Sequence, residues 1–410
     1  MSIFEGFLST PETLAAFDDR SFVDAMLRFE AALARAQAAV GLIPASAADS
    51  IIGSCKVELF DVARIVRESG RAGSVAIPLV KALKESVGLF NADALPYVHF
   101  GSTSQDVIDT AMSLVTREAM ALVEADLAKA ADALLKLAAL HATTPMLART
   151  LMQPASVTSF GFKCAGWAAP LVRSRLRLRS ATKHALQVQL GGAVGTLAQM
   201  HGQGAAVRRR MADVLRLGDP GATWHTQRDE WVSLGCALGV LAGSLGKVAG
   251  DIALLGQYEV AEVAEPSEPG RGGSSAMPHK RNPVASMVAL AAAQRAPQQV
   301  AAMLAAMPQQ HQRALGPWQA ELAEWPQLWL TVQGSAHALA GALPGLNVDG
   351  ARMRANIDRL RAELPAQAAD EWFDPVLADG AAGLARAQAH DLQARFDAIR
   401  NNTSSKDGSP

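Results

Sequence analysis

One segment near the middle of the chain concentrates side chains that could perform acid–base chemistry and bind anions. It reads GRGGSSAMPHKRNPV, from residue 270 to residue 284, and we call it the serine loop. The glycines at its start predict a flexible stretch on which Ser274 and Ser275 could approach a ligand and move. Its proline-bounded end carries Lys280 as a point charge and Asn282 as an amide that can make paired hydrogen bonds, and it leads into a predicted helix.

The serine loop can perform proton transfer only under restricted conditions. A free serine hydroxyl is hardly acidic, so Ser274 can take a proton only if its alkoxide is stabilised by backbone N–H groups, a helix N-terminus or Lys280. Closure of a mobile loop would supply such groups and exclude water. The alternative is a surface loop with a basic patch, although so many special residues are unusual in an ordinary linker.

A second polar segment, YVHFGSTSQDVIDT, spans residues 97–110. We predict Asp106 as the N-cap of a long helix, with Ser102, Thr103 and Ser104 directly before it. Hydroxyls and free backbone N–H groups at a helix start can bind an anion. The alternative is that these residues only cap the helix.

The third polar segment, ARTLMQPASVTSFG, spans residues 148–161. It offers Arg149, Thr150 and Gln153 as groups that could bind a polar ligand. The alternative is a loop that interrupts helical structure ahead of Pro154, because the residue before a proline disfavours the helical conformation.

Composition excludes several classes of protein. The chain has 410 residues, a formal net charge of -1 and 50% hydrophobic residues. It lacks the surplus of Lys and Arg that general nucleic-acid binding needs. Its three scattered cysteines are too few for a disulfide framework, and its histidines show no metal-ligand spacing. Phosphate- and dinucleotide-binding glycine motifs are also missing. We therefore expect no nucleic acid, no metal and no cofactor, and a reducing cytoplasm as the compartment.

The elements that must position these segments are predicted to be helices. Alanine and leucine dominate, aromatic residues are only 5%, and runs of β-branched residues are short. The clearest helix spans residues 106–141, where apolar residues recur at alternating spacings of three and four and predict a rod of about 50 Å. Further helices are predicted over residues 22–40, 160–187, 231–256, 284–307 and 351–361. This pattern favours an all-α, elongated long-helix bundle whose apolar surface is covered by homo-oligomerisation.

The most apolar of these helices, residues 231–256, is the best candidate for a membrane span. Its charge-free part ends at Lys247, short of the roughly 18–20 apolar residues that a span needs. Gly235, Gly239 and Gly243 recur every four residues, so they line one face and let another helix approach closely. We therefore expect a buried helix in a soluble bundle and no association with a membrane.

The helices and polar segments divide the chain into four parts. We assign residues 1–105 to an N-terminal helical domain, residues 106–345 to the central long-helix bundle, and residues 346–400 to a C-terminal helical region. Residues 401–410, NNTSSKDGSP, form a polar tail that we expect to be disordered.

The three polar segments together resemble the three conserved regions of the fumarase/aspartase superfamily. GGSSAMPHKRNP is similar to the superfamily signature GSSxMPxKxNP, GSTSQD to its first region and RTLMQPA to its second. The resemblance covers about residues 1–360. It implies a long helical bundle of the fumarase/aspartase type in a homotetramer, with each active site drawing the three regions from three different subunits. It also implies a shortened C-terminal helical domain, because FDPVLADGAAGLARAQAHDLQARF resembles only the end of the domain found in relatives.

The resemblance also implies roles for individual residues. Ser274 corresponds to the catalytic serine on the mobile loop, and Lys280 acts with it while holding a substrate carboxylate together with Asn282. Residues expected to bind substrate are Thr103, Ser104, Thr150, Gln153 and Arg313, and Ser102 joins them through the anion site described above. His99 and His141 each keep two readings, a packed and hydrogen-bonded histidine or a substrate-binding residue.

Further stretches resemble the cycloisomerases of the superfamily, which lactonise 3-carboxy-cis,cis-muconate in protocatechuate degradation. These stretches are AIPLVKAL, WHTQRDEW and AMPQQHQRALGPWQAE. The rival resemblance is to adenylosuccinate lyases, which share the MPHKRNP form. Superfamily lyases that expel an amine or hydroxide usually have a histidine where this chain has Leu151. Those leaving groups need a general acid, whereas a carboxylate, with a pKa of about 4, leaves without help.

We therefore expect a cofactor-free cycloisomerase that acts on a small polycarboxylate. Its substrate would be 3-carboxy-cis,cis-muconate or a sulfonated muconate, and its product the muconolactone. Two alternatives remain open at this point: a fumarate-releasing lyase of the adenylosuccinate lyase type, and a non-catalytic structural relative, as some lens crystallins are in this superfamily.

Overall fold

The computed structural model describes residues 3–268, 270–274 and 276–404, and the side chains up to residue 399. Ser275 and the residues from 405 onward lie outside the described residues. The predicted all-α architecture is confirmed, because helices form most of the described chain and its strands are four short segments. Residues 401–404 continue the last helix, and the remainder of the tail lies outside the described residues.

Six helices form the amino-terminal part of the chain. They are α1 (Glu5–Leu8), α2 (Pro11–Ala16), α3 (Asp19–Ala39), α4 (Ala45–Ser54), α5 (Val62–Ala72) and α6 (Ala76–Gly88). The longest of them, α3, begins after Asp18, whose carboxylate accepts a hydrogen bond from the Ser21 N–H at 2.7 Å and so caps the helix. Helix α3 packs directly on the first long helix of the central bundle.

The central part of the chain contains α7 (Ser104–Leu140), α8 (Phe160–Ala185), α9 (Gly204–Leu215), α10 (Asp229–Leu255), α11 (Val284–Ala306) and α12 (Pro317–Ala342). Five of them form a ring: α7 packs on α8, α8 on α10, α10 on α11, α11 on α12, and α12 back on α7. Helix α12 was not predicted from the sequence. It buries Trp325 and Trp329 completely in the core of the ring, so packing outweighs the weak helix propensity of its Trp and Pro residues.

Helix α10 is, among the described residues, the one helix long and apolar enough to cross a membrane by length and composition, and more than half of its most apolar stretch is buried against its neighbours. A Cβ atom on Gly239 would lie 2.7 Å from Val300 Cγ2, so this glycine allows α11 to approach closely, as predicted. The prediction was wrong for Gly243, where a Cβ would meet nothing within 4 Å in the described chain. Gly246 takes that role, since its Cβ would lie 2.4 Å from Ala293 Cβ.

Two small sheets and three further helices complete the chain. Strands β1 (Pro145–Thr150) and β2 (Gln153–Ser159) form an antiparallel hairpin, and β3 (Val263–Ala264) pairs antiparallel with β4 (Asn347–Val348). The carboxyl-terminal helices are α13 (Gly350–Glu363), α14 (Ala366–Phe373) and α15 (Leu377–Ser404). Helix α13 packs against β1, while α15 runs back along α8, where Arg175 lies over the ring of Phe396 at 4.6 Å.

Candidate active site

The amino end of α7 is organised by a buried carboxylate. Asp106 was predicted to be the N-cap, but the helix begins at Ser104, so Thr103 is the N-cap and Asp106 lies in the first turn. The Asp106 carboxylate accepts hydrogen bonds from the backbone N–H of Thr103 at 3.1 Å and of Gly191 and Gly192 at 2.9 Å each. It also contacts His225 Nε2 at 2.7 Å. Asp106 therefore fixes the backbone of this segment and is not available to a ligand.

The hydroxyls of Thr103 and Ser104, at the start of α7, lie beside a cation. Arg313, in the connection between α11 and α12, donates from Nη1 to Thr103 Oγ1 at 2.5 Å and from Nη2 to Ser104 Oγ at 3.0 Å. Arg313 is 210 residues from Thr103 and 209 from Ser104 in the sequence. The three side chains nevertheless form one polar surface at an exposed helix N-terminus. A guanidinium and the positive end of a helix both favour an anionic ligand.

His99 belongs to the same surface. Its Nδ1 lies 2.6 Å from Oε1 of the buried Glu30 and 3.0 Å from Ser102 Oγ, and the side chain stays 18% exposed. Burial alone would lower the pKa of His99, but the charge and hydrogen bond of Glu30, with a smaller contribution from the charge of Asp106, raise it above its ordinary value. The protonated imidazolium of His99 is therefore favoured on this surface.

The third polar segment forms a hairpin between α7 and α8, so it interrupts helical structure as a pair of strands and not as an irregular loop. Thr150 and Gln153 pair at the end of β1 and β2, and Leu151 and Met152 form the tip with φ of +50° and +66°. Two non-glycine residues in the left-handed region make a strained turn. Leu151 is 97% exposed, so the tip projects from the chain and presents Thr150 and Gln153 beside an apolar side chain.

The serine loop is held together by its own backbone. Asn282 N–H donates to the Gly272 carbonyl at 2.8 Å, and Gly273 bridges to Arg281. Gly272 has φ of +70°, and a Cβ there would lie 2.6 Å from the Asn282 carbonyl oxygen. Gly272 therefore forms one side of a tight stem, and the flexibility of the loop entry stays a prediction. Lys280 and Asn282 lie exposed on the other side of the loop.

Ser274 has a partner suited to a developing negative charge. Its Oγ accepts a hydrogen bond from the Met277 backbone N–H at 3.1 Å. The base of the loop is closed by Glu265, whose carboxylate accepts hydrogen bonds from the N–H groups of Ala285 at 2.9 Å and Ser286 at 2.7 Å, at the start of α11. Glu265 thus fixes both ends of the loop against the same helix N-terminus.

His141 fits the packed reading. It follows the last residue of α7, contacts Thr144 Oγ1 through Nδ1 at 3.1 Å, and meets the ring of Phe160 edge-on at 5.5 Å between centroids. Burial lowers its pKa, so the neutral imidazole is favoured. It remains partly exposed at the hairpin end of the bundle, and a role in substrate binding stays a prediction.

The chain places the predicted site residues in two groups at opposite ends of α7. The amino-end group contains His99, Ser102, Thr103, Ser104 and Arg313. The carboxyl-end group contains Thr150, Gln153, Ser274, Lys280, Asn282 and His141, because the hairpin follows α7 and an ion pair between Arg149 and Glu262 ties it to the strand that leads into the serine loop. With 37 residues in α7, the two groups are about 55 Å apart. One chain by itself does not assemble the predicted site.

Sequence reasoning missed how buried carboxylates hold these groups, and it identified Asp106 only as a helix N-cap. Asp106 had a local signal, since Thr followed three residues later by an acid is a capping pattern. Glu30 and Glu262 had none, because their partners His99 and Arg149 are 69 and 113 residues away. Among the described residues, no three His, Cys, Asp or Glu side chains come together as a possible metal site.

Known proteins resemble this chain in both sequence and structure. The lyase family profile matches residues 8–297. A 3-carboxy-cis,cis-muconate cycloisomerase from Bradyrhizobium diazoefficiens is 48% identical over 361 residues, covering 88% of this chain and 80% of that protein. One from Pseudomonas aeruginosa is 46% identical over 355 residues, covering 87% and 77%.

A solved crystal structure with a similar fold comes from the same kind of enzyme as these sequence relatives. The crystal structure of the 3-carboxy-cis,cis-muconate lactonizing enzyme from Pseudomonas putida matches with a TM-score of 0.87 at 36% identity, covering 97% of this chain and 99% of that one. Its match extends over the carboxyl-terminal helices as well as the central bundle. With its five-helix ring, its three polar segments and these relatives, the chain belongs to the lyase family of the fumarase/aspartase superfamily.

Proposed function

We propose that this protein is a cofactor-free intramolecular lyase that closes 3-carboxy-cis,cis-muconate, or a sulfonated muconate, into the muconolactone. The observation that carries the proposal is Leu151 at the exposed hairpin tip, between Thr150 and Gln153. An apolar side chain there supplies no proton to a leaving group. A carboxylate needs none, because it is already a stable anion at neutral pH. Relatives named as 3-carboxy-cis,cis-muconate cycloisomerases at 46–48% identity support the same reaction.

The proposed reaction begins with intramolecular attack. A substrate carboxylate oxygen forms a bond to the distal carbon of a C=C conjugated with a second carboxylate, and the π electrons move onto that second carboxylate. Lys280 and Asn282, both exposed on the serine loop, stabilise the resulting dianion. Because the nucleophile and the acceptor belong to one molecule, much of the entropic cost of bringing them together is avoided.

The second step delivers a proton to the α-carbon. Ser274 is the donor that we propose, and it then carries the negative charge as an alkoxide until solvent reprotonates it. The Met277 N–H, which already donates to Ser274 Oγ at 3.1 Å, stabilises that alkoxide. The hydrogen bond supplies one of the conditions under which a serine can act as an acid or base.

The active site would be completed by other copies of the chain in a homotetramer. Two observations support this assembly: the two groups of site residues lie about 55 Å apart along α7, and α10 and α11 expose Val240, Leu254, Met287 and Leu304 on their outer faces. The tetramer would act in the cytoplasm, on a small polycarboxylate released during the breakdown of aromatic compounds.

An ultraviolet assay tests the proposed function. We expect the purified protein to abolish the absorbance of the conjugated 3-carboxymuconate and to release no fumarate from adenylosuccinate. Ser274→Ala should lower kcat by at least about 100-fold, whereas Ser46→Ala, at an exposed position on α4, should leave it unchanged. Fumarate release would favour the lyase alternative, and no change in either substrate would favour a non-catalytic relative. Full activity of Ser274→Ala would contradict the proton transfer.

A further inference from the structure

Glu262 is a buried carboxylate with no place in the chemistry proposed above. It is completely buried, directly before β3. Its two oxygens face the guanidinium of Arg149, with Nη1 to Oε2 at 3.0 Å and Nη2 to Oε1 at 2.8 Å. Oε1 also accepts a hydrogen bond from Asn356 Nδ2 on α13 at 2.9 Å. Both carboxylate oxygens are therefore paired, which is what a buried charge requires.

The backbone of Glu262 is held as firmly as its side chain. Its N–H donates to the Leu255 carbonyl at the end of α10 at 2.9 Å, and its carbonyl accepts from the Asp349 N–H, before α13, at 3.0 Å. Glu262 thus lies where the end of α10, the strand before the serine loop and the carboxyl-terminal helices meet.

Arg149, the ion-pair partner of Glu262, lies at the point where the hairpin is irregular. The pairing of β1 and β2 shifts register between Ala148 and Arg149, so the strand bends there. Arg149 directly precedes Thr150, and the two residues after that form the strained tip. Beyond the register shift only two strand pairs, Arg149 with Pro154 and Thr150 with Gln153, hold the bent strand before the strained turn. The two-pronged contact with Glu262 supplies a fixed direction.

The other side of Glu262 leads to the serine loop. Three residues further on, Glu265 caps α11 and closes the base of the loop. The chain between Glu262 and Glu265 is β3, which β4 holds by pairing Val263 with Val348. A shift of the Glu262 side chain is therefore transmitted along one short, paired strand to the base of the serine loop.

We propose that Glu262 is a positioning residue for the reaction: through Arg149 it fixes the direction of the Thr150–Gln153 tip, and through β3 it fixes the base of the serine loop. This proposal rests on the proposed function, because it assigns substrate binding to that tip. A positioning role differs from that of a purely stabilising ion pair in its effect on substrate binding. Loss of the two-pronged contact should weaken substrate binding even where the protein stays folded.

The test compares variants at Arg149 and Glu262 with a matched pair elsewhere. Glu262→Gln removes the charge and retains the shape. Arg149→Lys keeps a cation opposite Glu262 but loses the fork, so it does not leave a buried charge unpaired. Arg361→Lys is the control, because Arg361 is 28% exposed in its ion pair with Asp370 and Arg149 is 27% exposed in its own.

We expect Glu262→Gln and Arg149→Lys each to lower kcat/KM by about 100-fold, mostly through a higher KM, since a displacement of about 1 Å can have that effect. The double variant should lose no more than either single variant, because both changes break the same contact. Arg361→Lys should retain wild-type kcat/KM. Variants with lower melting temperatures but an unchanged KM would overturn the proposal, as would losses that add in the double variant.

A second measurement requires no substrate. Hydrogen exchange of residues 145–159 and 266–268 should become faster in Arg149→Lys and remain unchanged in Arg361→Lys. If the wild type proves inactive toward 3-carboxymuconate, faster exchange still supports the positioning role, and only the proposed function fails. Wild-type exchange rates in both segments would overturn the positioning role.

Discussion

At the scale of single residues, the buried carboxylate of Glu30 influences the charge of His99 on the proposed binding surface. The pKa of His99 is raised because Glu30 contributes a full negative charge and a short hydrogen bond, which together outweigh the cost of burying the imidazolium. The folded-state pKa lies above the ordinary value of about 6.5. The favourable effect of the charged imidazolium on binding an anion is therefore present at low pH, and it is lost as pH rises through the raised pKa of His99. A polycarboxylate substrate should bind most tightly on the acidic side of this pKa.

Replacing Glu30 should lower the pH at which substrate binding begins to weaken. In Glu30→Gln the pKa of His99 falls, because the charge that raised it is gone, and the rise in KM with pH should begin at a lower pH than in the wild type. Glu58→Gln is the control, since Glu58 is exposed and pairs with Arg20 away from His99. The profiles come from initial rates across a pH series, with folding checked by circular dichroism. Identical profiles for Glu30→Gln and the wild type would show that His99 does not contribute its charge to binding.

At the scale of elements, close packing of α10 on α11 depends on glycines that the sequence identified only in part. The four-residue spacing predicted one glycine face, and Gly239 lies on it against Val300. Further along α10, Gly246 and not Gly243 meets α11, at Ala293. Where two helices cross at an angle, the contact moves from one row of residues to another.

Adding one methyl group to this contact should destabilise the bundle. Gly246→Ala would place a Cβ 2.4 Å from Ala293 Cβ, and neither atom can rotate away, so the two helices must separate. We expect the free energy of unfolding to fall by about 1–3 kcal/mol. Gly53→Ala in α4 has nothing within 4 Å in the described chain, and the better helix propensity of alanine should make it neutral or stabilising by up to about 1 kcal/mol. Urea titration at a fixed protein concentration measures both, and equal stability of the two variants would contradict the role of Gly246.

At the scale of the whole molecule, the bundle separates the two groups of predicted site residues. Arg313 and the hydroxyls before α7 are at one end, and Ser274, Lys280 and Asn282 are at the other. A rigid rod of five packed helices does not bend enough to close a gap of about 55 Å. Copies of the chain that pack side by side in opposite directions would bring unlike ends together.

Mixed assemblies test this arrangement. Ser274→Ala and Arg313→Gln each damage one end of the chain, so each variant alone should be nearly inactive. Oligomers formed after co-expression contain some sites with both ends intact, and part of the activity should return. The assembled mass should be four times the 43.0 kDa of one chain. Mixed oligomers of confirmed composition that stay inactive would show that each chain completes its own site.

Local pattern was enough to predict the helical class and five of the long helices within a few residues, and to locate the three polar segments between helices. These features depend on propensity and periodicity over neighbouring residues, which the sequence expresses directly. The resemblance to the superfamily assigned Ser274, Lys280 and Asn282 to the loop that the structure then placed beside α11.

Only the tertiary structure decided which distant residues hold those segments in place. The hairpin around Leu151 was missed because its strained tip lacks the usual Asn-Gly signal. The partnerships of Glu30 with His99 and of Glu262 with Arg149 were invisible because a buried charge finds its partner through packing, at sequence separations that no local pattern records. The separation of the two groups of site residues likewise follows from the length of α7 and the direction of the chain around the ring.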